Sequence, residues 1–353
     1  MKKILHFGVM LCLLFQPALA TAQNHSQEGT TIRVDVELVV RMVTVERKGM
    51  AISGIKQENW RACPTETTTK RSKKMKLEEQ PKTPCANPEE IAFSNEFNRP
   101  PVNLLFIDDN SASARAHLNR FSKPAQRRFI RTISRTDDEF SVWTMNDKRS
   151  VVVPWTKDIE TVRTGIASIE AVDNNTSLLD TLYYASEEML GRDNENRRNM
   201  VIVVTDTFDQ SRELKRKLID SASGTPCTAA SASCRTVGVD DLVTAFALSN
   251  TSIYIVDFAG RFSDKPQLRL SQEDLEFLTA MTGGRRLTAE KPNEAGEKFD
   301  KIAELFGKMY EVGFYLKKGN KGKEVILQVG ETDEKGIFRP FDYDIWYTRQ
   351  LGR

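Results

Sequence analysis

Asp109, Ser111 and Ser113 alternate along the stretch Val102–Ser113, VNLLFIDDNSAS, and present one carboxylate and two hydroxyls at every second position. Hard oxygen donors without a histidine or thiolate suit Mg²⁺ or Mn²⁺ rather than Zn²⁺ or copper. Taken alone, the same residues also read as a strand running into a polar turn, because Asp, Asn and Ser are common turn formers. One further carboxylate stands at the end of another element: Asp206 directly follows the run MVIVVT at Met200–Thr205, which comes after the helix-spaced apolar set Leu178, Leu179, Leu182, Ala185 and Met189. Singly, Asp206 reads as a loop cap.

The elements that must position these donors form a regular alternation. Val102–Ile107, Phe140–Thr144, Val151–Trp155, Met200–Thr205 and Ser252–Val256 read as strands, several of them apolar on both faces, as in a buried parallel sheet. Between them lie helical patterns: one starting at Ser122 and Pro124 with Phe129, Ile130 and Ile133 on one side, then Ile159–Ile169, the set beginning at Leu178, Leu214–Ile219 and Asp240–Leu248. Ser271 with Asp274 caps a helix ended by Gly283-Gly284, Arg286–Thr288 is short and strand-like, and Phe299, Ile302, Ala303, Phe306 and Met309 mark the last helix. This order predicts an α/β fold: a doubly wound, mostly parallel sheet with helices on both faces, and ligands at the carboxyl ends of strands near a topological switch point. The ends of the chain read as β-rich. Thr31–Arg47 alternates apolar and polar residues, Trp60 is a core anchor, and Gly313–Leu316 with Glu324–Val329 reads as a hairpin across Lys317–Lys323. We expect a small β-rich domain formed by the N- and C-terminal segments, with the α/β domain inserted. The expected division is a signal peptide at 1–22, an N-terminal β segment with a Lys/Thr/Pro-rich loop at 31–98, the α/β domain at 99–310 and a C-terminal β segment at 311–347.

Bulk properties narrow the class. With 353 residues, 39% hydrophobic and 28% charged, the chain has the composition of a folded globular protein and the length of about two domains. Lys2 and Lys3, the apolar run Ile4–Phe15, and Ala18, Ala20 and Ala22 make Met1–Ala22 a secretory signal peptide, which places the mature protein in the periplasm or outside the cell. No later apolar run is long enough to span a membrane, so no integral membrane segment is expected after cleavage. Removing the two lysines from 51 basic residues leaves 49, against 49 acidic ones. A neutral chain offers no field for nucleic acid or an anionic membrane, and the basic run Lys70–Lys76 reads as a solvated face. The four cysteines of the mature chain fall into two local pairs, Cys63 with Cys85 and Cys227 with Cys234. Their spacing is too wide for zinc motifs and agrees with disulfides in an oxidising compartment.

The sequence of features resembles the von Willebrand factor type A domain, within it the bacterial secreted proteins described as VWFA-related. RVDVELVVRMVTV with SGI and ENW, then LLFIDD, NNTSLLDTLYYA, VIVVTD, TGGRR and YEVGFYL carry the resemblance through most of the mature chain. It implies a metal-ion-dependent adhesion site, D-x-S-x-S with a distant Thr and a distant Asp, onto which Asp109, Ser111, Ser113, Thr176 and Asp206 fall. Three glycines usual in that pattern are replaced, by Ala112, Asn175 and Thr207. Two registers are open. Asp109 places three oxygen donors in order, whereas Asp108 as the alternative ligand would put Asn110 and Ala112 in the donor positions.

The resemblance implies a secreted or periplasmic binding module in which hydroxyl ligands leave Mg²⁺ (or Mn²⁺) electron-poor, so that an acidic side chain of a protein partner completes the octahedron. Two alternatives stand beside it: a structural envelope protein with a degenerate metal site, and a Mg²⁺-dependent phosphohydrolase. Catalysis is the weaker expectation. Asp108-Asp109-Asn110 lacks the second acid of hhhDxD, and His117 is the only histidine of the α/β region. No phosphate-cradling glycine motif is present either.

Overall fold

Eight consecutive buried residues, Val102–Asp109, form a strand of the computed structural model whose backbone is paired on both sides inside a sheet that is covered on both faces. The structure describes residues 36–65, 90–93, 99–146, 149–174, 176–192, 197–207, 219–220, 234–235, 238–258, 272–317 and 324–347. In chain order the elements are β1 (Val36–Arg47), β2 (Met50–Ala51), β3 (Trp60–Thr65), β4 (Glu90–Phe93), β5 (Val102–Asp109), α1 (Arg115–His117), α2 (Lys123–Ile133), β6 (Glu139–Met145) and β7 (Arg149–Thr156). They continue with α3 (Ile159–Ser168), α4 (Leu178–Leu190), β8 (Arg198–Thr205), β9 (Ile219–Asp220), β10 (Cys234–Arg235), α5 (Val239–Leu248), β11 (Thr251–Asp257), α6 (Gln272–Met281), β12 (Arg286–Thr288), α7 (Ala295–Gly307), β13 (Tyr310–Lys317), β14 (Glu324–Thr332), β15 (Phe338–Pro340) and β16 (Asp344–Trp346).

The central sheet runs β12-β11-β8-β5-β6-β7. Every neighbouring pair is parallel except β6 with β7, so the sheet is mostly parallel with one antiparallel edge strand. From β5 the chain winds outward to β6 and β7, then returns to β8 on the other side and continues to β11 and β12. The switch point therefore lies between the carboxyl ends of β5 and β8. Leu104, Phe106, Ile202, Val204 and Val256 pack under α2, α3 and α7, whereas Leu105, Ile107, Val201, Val203 and Ile255 pack under α4, α5 and α6. Each such buried side chain contributes on the order of 1.5–3 kcal/mol.

The β-rich part is built from both ends of the chain. β1 pairs antiparallel with β13 and with β16, and β3 pairs with β14. The hairpin expected from Gly313–Leu316 and Glu324–Val329 does not form. β13 lies in the sheet β16-β1-β13-β4 and β14 in the sheet β15-β14-β3. Each strand has an apolar face to cover, and the two meet instead across a shared core of Val43, Val45, Trp60, Tyr310, Val312, Phe314, Leu327, Val329 and Tyr347. Trp60 meets Tyr310 edge-on at 5.1 Å, and the Tyr310 hydroxyl accepts from Ile55 N–H and donates to Ile52 O. Glu46, fully buried on β1, binds Arg285 and lies 3.5 Å from Lys301 of α7, so the β-rich part is joined to the α/β layers by charge as well as packing.

A second correction concerns the helix after β5. Ser122 with Pro124 reads as a helix start, but the helix begins at Arg115 and passes through a π-type turn at Leu118–Ser122 into α2. Ser122 is already helical and makes no cap; its hydroxyl accepts from Gln126 Nε2 at 2.9 Å. The expectations for the signal peptide, the basic run, the loop after Thr65 and most of Leu214–Ile219 lie outside the described residues.

Candidate metal centre

Strand alternation decides which face each of the paired aspartates takes. Leu104 and Phe106 face α2, so Asp108 does too; Leu105 and Ile107 face α4, and Asp109 follows them. Asp108 Oδ1 accepts a short hydrogen bond from Gln126 Nε2 of α2. Asp109 turns toward the loops that carry the hydroxyls. Its Oδ1 accepts from Ser111 N–H at 3.0 Å and lies 3.5 Å from Thr176 Oγ1, while its Oδ2 accepts from Thr205 Oγ1 at 3.0 Å. Ser111 Oγ and Ser113 Oγ are 3.1 Å apart. Asp206 follows β8 at the switch point and is fully buried. The structure thus gathers Asp109, Ser111, Ser113, Thr176 and Asp206 at one end of the sheet and separates Asp108 from them.

Two residues of this site carry no motif signal. Thr205, the last residue of β8, fixes the second oxygen of Asp109, and the same hydroxyl accepts from Thr207 N–H at 2.9 Å. Asn110 stitches three loops together. Its N–H donates to Met145 O, its carbonyl accepts from Val172 N–H, its Nδ2 donates to Glu170 O, and its Oδ1 accepts from Asn146 Nδ2. Ser177 Oγ donates to Asn146 O, which ties the start of α4 to the same hub. The only available signals were a hydroxyl one residue before Asp206 and an amide inside a turn of small polar residues.

The electrostatics favour a cation. Burial, and next the adjacent Asp206 charge, push the Asp109 carboxyl up to about 7, against partial relief from Ser111 and Thr205. Asp108 is also pushed up to about 7, by burial alone, offset by Gln126 and the Lys123 ammonium. Two buried acids of like sign beside three hydroxyls form an oxygen-only set that fits a hard divalent ion. Ser113 is partly exposed and Ala112 exposed, so the set opens to solvent on the Ser113 side. Among the described residues no group of three or more His, Cys, Asp or Glu side chains converges as a metal cage. His117, the one histidine of this region, is buried and stacks on Phe258 at 4.1 Å, and burial lowers its pKa to about 4.

Thr207 occupies the position where the related pattern has glycine, and it shows why glycine suits it. Its φ is +66°, the left-handed region that a β-branched residue enters only at a cost. Gly284, in the turn after α6, is required by contact instead: a Cβ there would lie 1.9 Å from Ile253 O. Cys63 is buried in β3 and disulfide-bonded. Cys85, Cys227 and the side chain of Cys234 lie outside the described residues, as does Asn175.

Residues 104–208 match the von Willebrand factor type A domain. Similar solved structures include the vWF domain of the type V pili tip protein Mfa5 from Porphyromonas gingivalis, 11% identical, which covers 59% of this chain and 96% of its own at a TM-score of 0.41. A von Willebrand factor type A protein from Catenulispora acidiphila is 11% identical over 90% of this chain and 74% of its own, with a TM-score of 0.42. Proximal thread matrix protein 1 from the mussel byssus, with a zinc occupied MIDAS motif, is 14% identical over 61% of this chain, with a TM-score of 0.42; the match spans 50% of the byssus protein. No curated protein sequence matches. The match begins inside β5 and ends just past Asp206, so the stretch that is similar to a von Willebrand factor type A domain encloses the whole candidate donor set.

Proposed function

We propose that the protein is an exported binding module that grips an acidic group of a partner protein through a divalent cation held by Asp109, Ser111, Ser113, Thr176 and Asp206. The observation that carries this reading is the convergence of those five residues from three separate segments on one face of the switch point, with Asp109 turned toward them and Asp108 turned away. Mg²⁺ or Mn²⁺, when bound, supplies an open coordination position for a carboxylate. The chain does the rest. Asn110 holds the loops in register, and Thr205 orients Asp109. Asp109, Ser111, Thr176 and Asp206 are buried, and Ser113 is the partly exposed donor. The reading is one of binding rather than catalysis, because the histidine of the region is stacked on Phe258 and buried away from the donor set's hydrogen bonds. Export is supported by the Met1–Ala22 pattern and by the disulfide at Cys63, for which Cys85 is the proposed partner. Among the described residues no helix is long and apolar enough to cross a membrane.

Thermal melting with increasing Mg²⁺ or Mn²⁺ tests the reading. Wild type should gain about 2–3 kcal/mol of stability at a hundredfold excess over the dissociation constant, and Asp109→Ala should gain none. Melting curves indifferent to both cations in the wild type would sink it.

A further inference from the structure

Next to the donors along the chain lies an ion pair that the cation site does not use. Arg115 Nη2 meets Asp173 Oδ1 at 2.6 Å. Arg115 follows Ser113 by two residues and Asp173 precedes Thr176 by three, so each is tied by a short stretch of chain to a proposed donor; three residues reach at most about 11 Å. The pair is not needed to join the two loops, which are already fastened by Val172 N–H to Asn110 O at 2.8 Å and by Asn110 Nδ2 to Glu170 O at 3.0 Å. Both side chains are largely in solvent, 57% and 82% exposed. Exposed pairs contribute little net stability, so the guanidinium can exchange one carboxylate for another at little cost.

The charges explain what such an exchange achieves. Asp109 and Asp206 offer two carboxylates to a divalent ion, so the loaded site is close to neutral overall and takes one partner carboxylate by coordination at the open position rather than by net charge. Two residues beyond Ser113, the partly exposed donor, exposed Arg115 adds positive charge in a planar fork that matches a carboxylate. In the free protein Asp173 occupies that fork.

We infer that Arg115 is a second anchor for the partner and that Asp173 is its internal competitor. The partner is then a segment with two acids on one face, one carboxylate reaching the cation and the other displacing Asp173 from Arg115. In an extended peptide, side chains two residues apart share a face and lie about 7 Å from each other. This inference rests on the cation-dependent reading of the same site.

Two capped peptides test it, acetyl-Gly-Asp-Gly-Glu-Gly-amide and its single-acid counterpart acetyl-Gly-Asp-Gly-Gln-Gly-amide, titrated into the full mature chain at saturating Mn²⁺. Wild type should bind the two-acid peptide about three- to tenfold more tightly. Arg115→Ala should erase that preference, and Asp173→Asn should enlarge it; both substitutions change exposed side chains outside the core. A wild type that binds Mn²⁺ and treats the two peptides alike, or a preference that survives Arg115→Ala, overturns the inference alone. A wild type that does not bind Mn²⁺ overturns the reading beneath it.

Discussion

Asp108 and Asp109 are neighbours in sequence, both fully buried, and both pushed up to about 7, yet they belong to two different environments. Asp108 lies beneath a helix. Gln126 donates to it, Lys123 supplies a nearby positive charge, and the Lys123 ammonium is itself held by Asn119 Oδ1 and Ala167 O. Asp109 lies beneath loops, facing hydroxyls and a second carboxylate, with an opening to solvent at Ser113. The burial of one acid is offset from within the protein; the burial of the other is made worse by Asp206. That contrast teaches that a raised carboxyl pKa does not by itself mark a ligand site. The identity of the neighbours does, because an amide and an ammonium close a pocket whereas a second acid leaves it short of positive charge.

The sharpest way to break this contrast is to neutralise each acid in turn. Asp108→Asn keeps an oxygen for Gln126 and removes a buried charge, so at pH 8 the metal-free protein should gain about 1–3 kcal/mol. Its response to Mg²⁺ should remain that of the wild type. Asp109→Asn should lose the cation-dependent stabilisation of about 2–3 kcal/mol. Denaturant melts of both variants with and without Mg²⁺ measure the difference. Equal loss of the Mg²⁺ response in both would place Asp108 among the ligands and collapse the distinction.

The pH dependence of metal-free stability contains a third buried group, which works in the opposite direction. Asp108 and Asp109 keep protons in the folded chain up to about 7 that the unfolded chain releases near 3.8, so they favour folding at low pH and lose that contribution as pH rises through the window. His117 stays neutral in the folded chain down to about 4, while the unfolded chain takes a proton below 6.5. It therefore lowers stability as pH falls from 6.5 to 4. His117→Phe preserves the stack on Phe258 and removes this term. At pH 4 it should be about 2–3 kcal/mol more stable than wild type, with little difference at pH 8. Paired melts across that range check it, and a constant offset between the two proteins would contradict the assignment of His117 as a buried neutral group.

How much of this was legible before folding follows from what each signal encodes. The apolar runs at Val102–Ile107, Met200–Thr205 and Ser252–Val256 specify strands covered on both faces, and their spacing specifies the parallel winding and hence the switch point. A strand apolar on both faces has lost the alternation that would show which side each residue takes, so before the helices fix the faces the choice of Asp109 over Asp108 rests on the order of the oxygen donors alone. The hairpin failed for a related reason. Proximity along the chain favours pairing β13 with β14, but apolar residues such as Phe314 and Leu327 gain more from facing each other across two sheets, each strand paired with a distant partner from the N-terminal segment. Thr205 and Asn110 act through hydrogen bonds to other loops, and nothing in their local sequence sets them apart from ordinary strand-end and turn residues.

The smallest expected effect falls at Thr207, where the Asp109 side of the contrast stores strain. Its left-handed φ of +66° is held by the hydrogen bond from Thr207 N–H to Thr205 Oγ1, and that hydroxyl in turn holds Asp109 Oδ2. The local cost is thus spent on orienting the carboxylate that faces the proposed cation. Thr207→Gly adopts the same backbone without a Cβ clash and keeps the N–H, so both hydrogen bonds can survive. Relief of the strain, set against the greater freedom of glycine in the unfolded chain, leaves a net gain of about 0.5–1 kcal/mol. If the strain serves only to place Thr205, the Mg²⁺ affinity of Thr207→Gly should equal that of the wild type. A variant that is more stable yet binds Mg²⁺ more weakly would show instead that the constrained backbone, and not the hydrogen bond alone, aims Asp109 at the site.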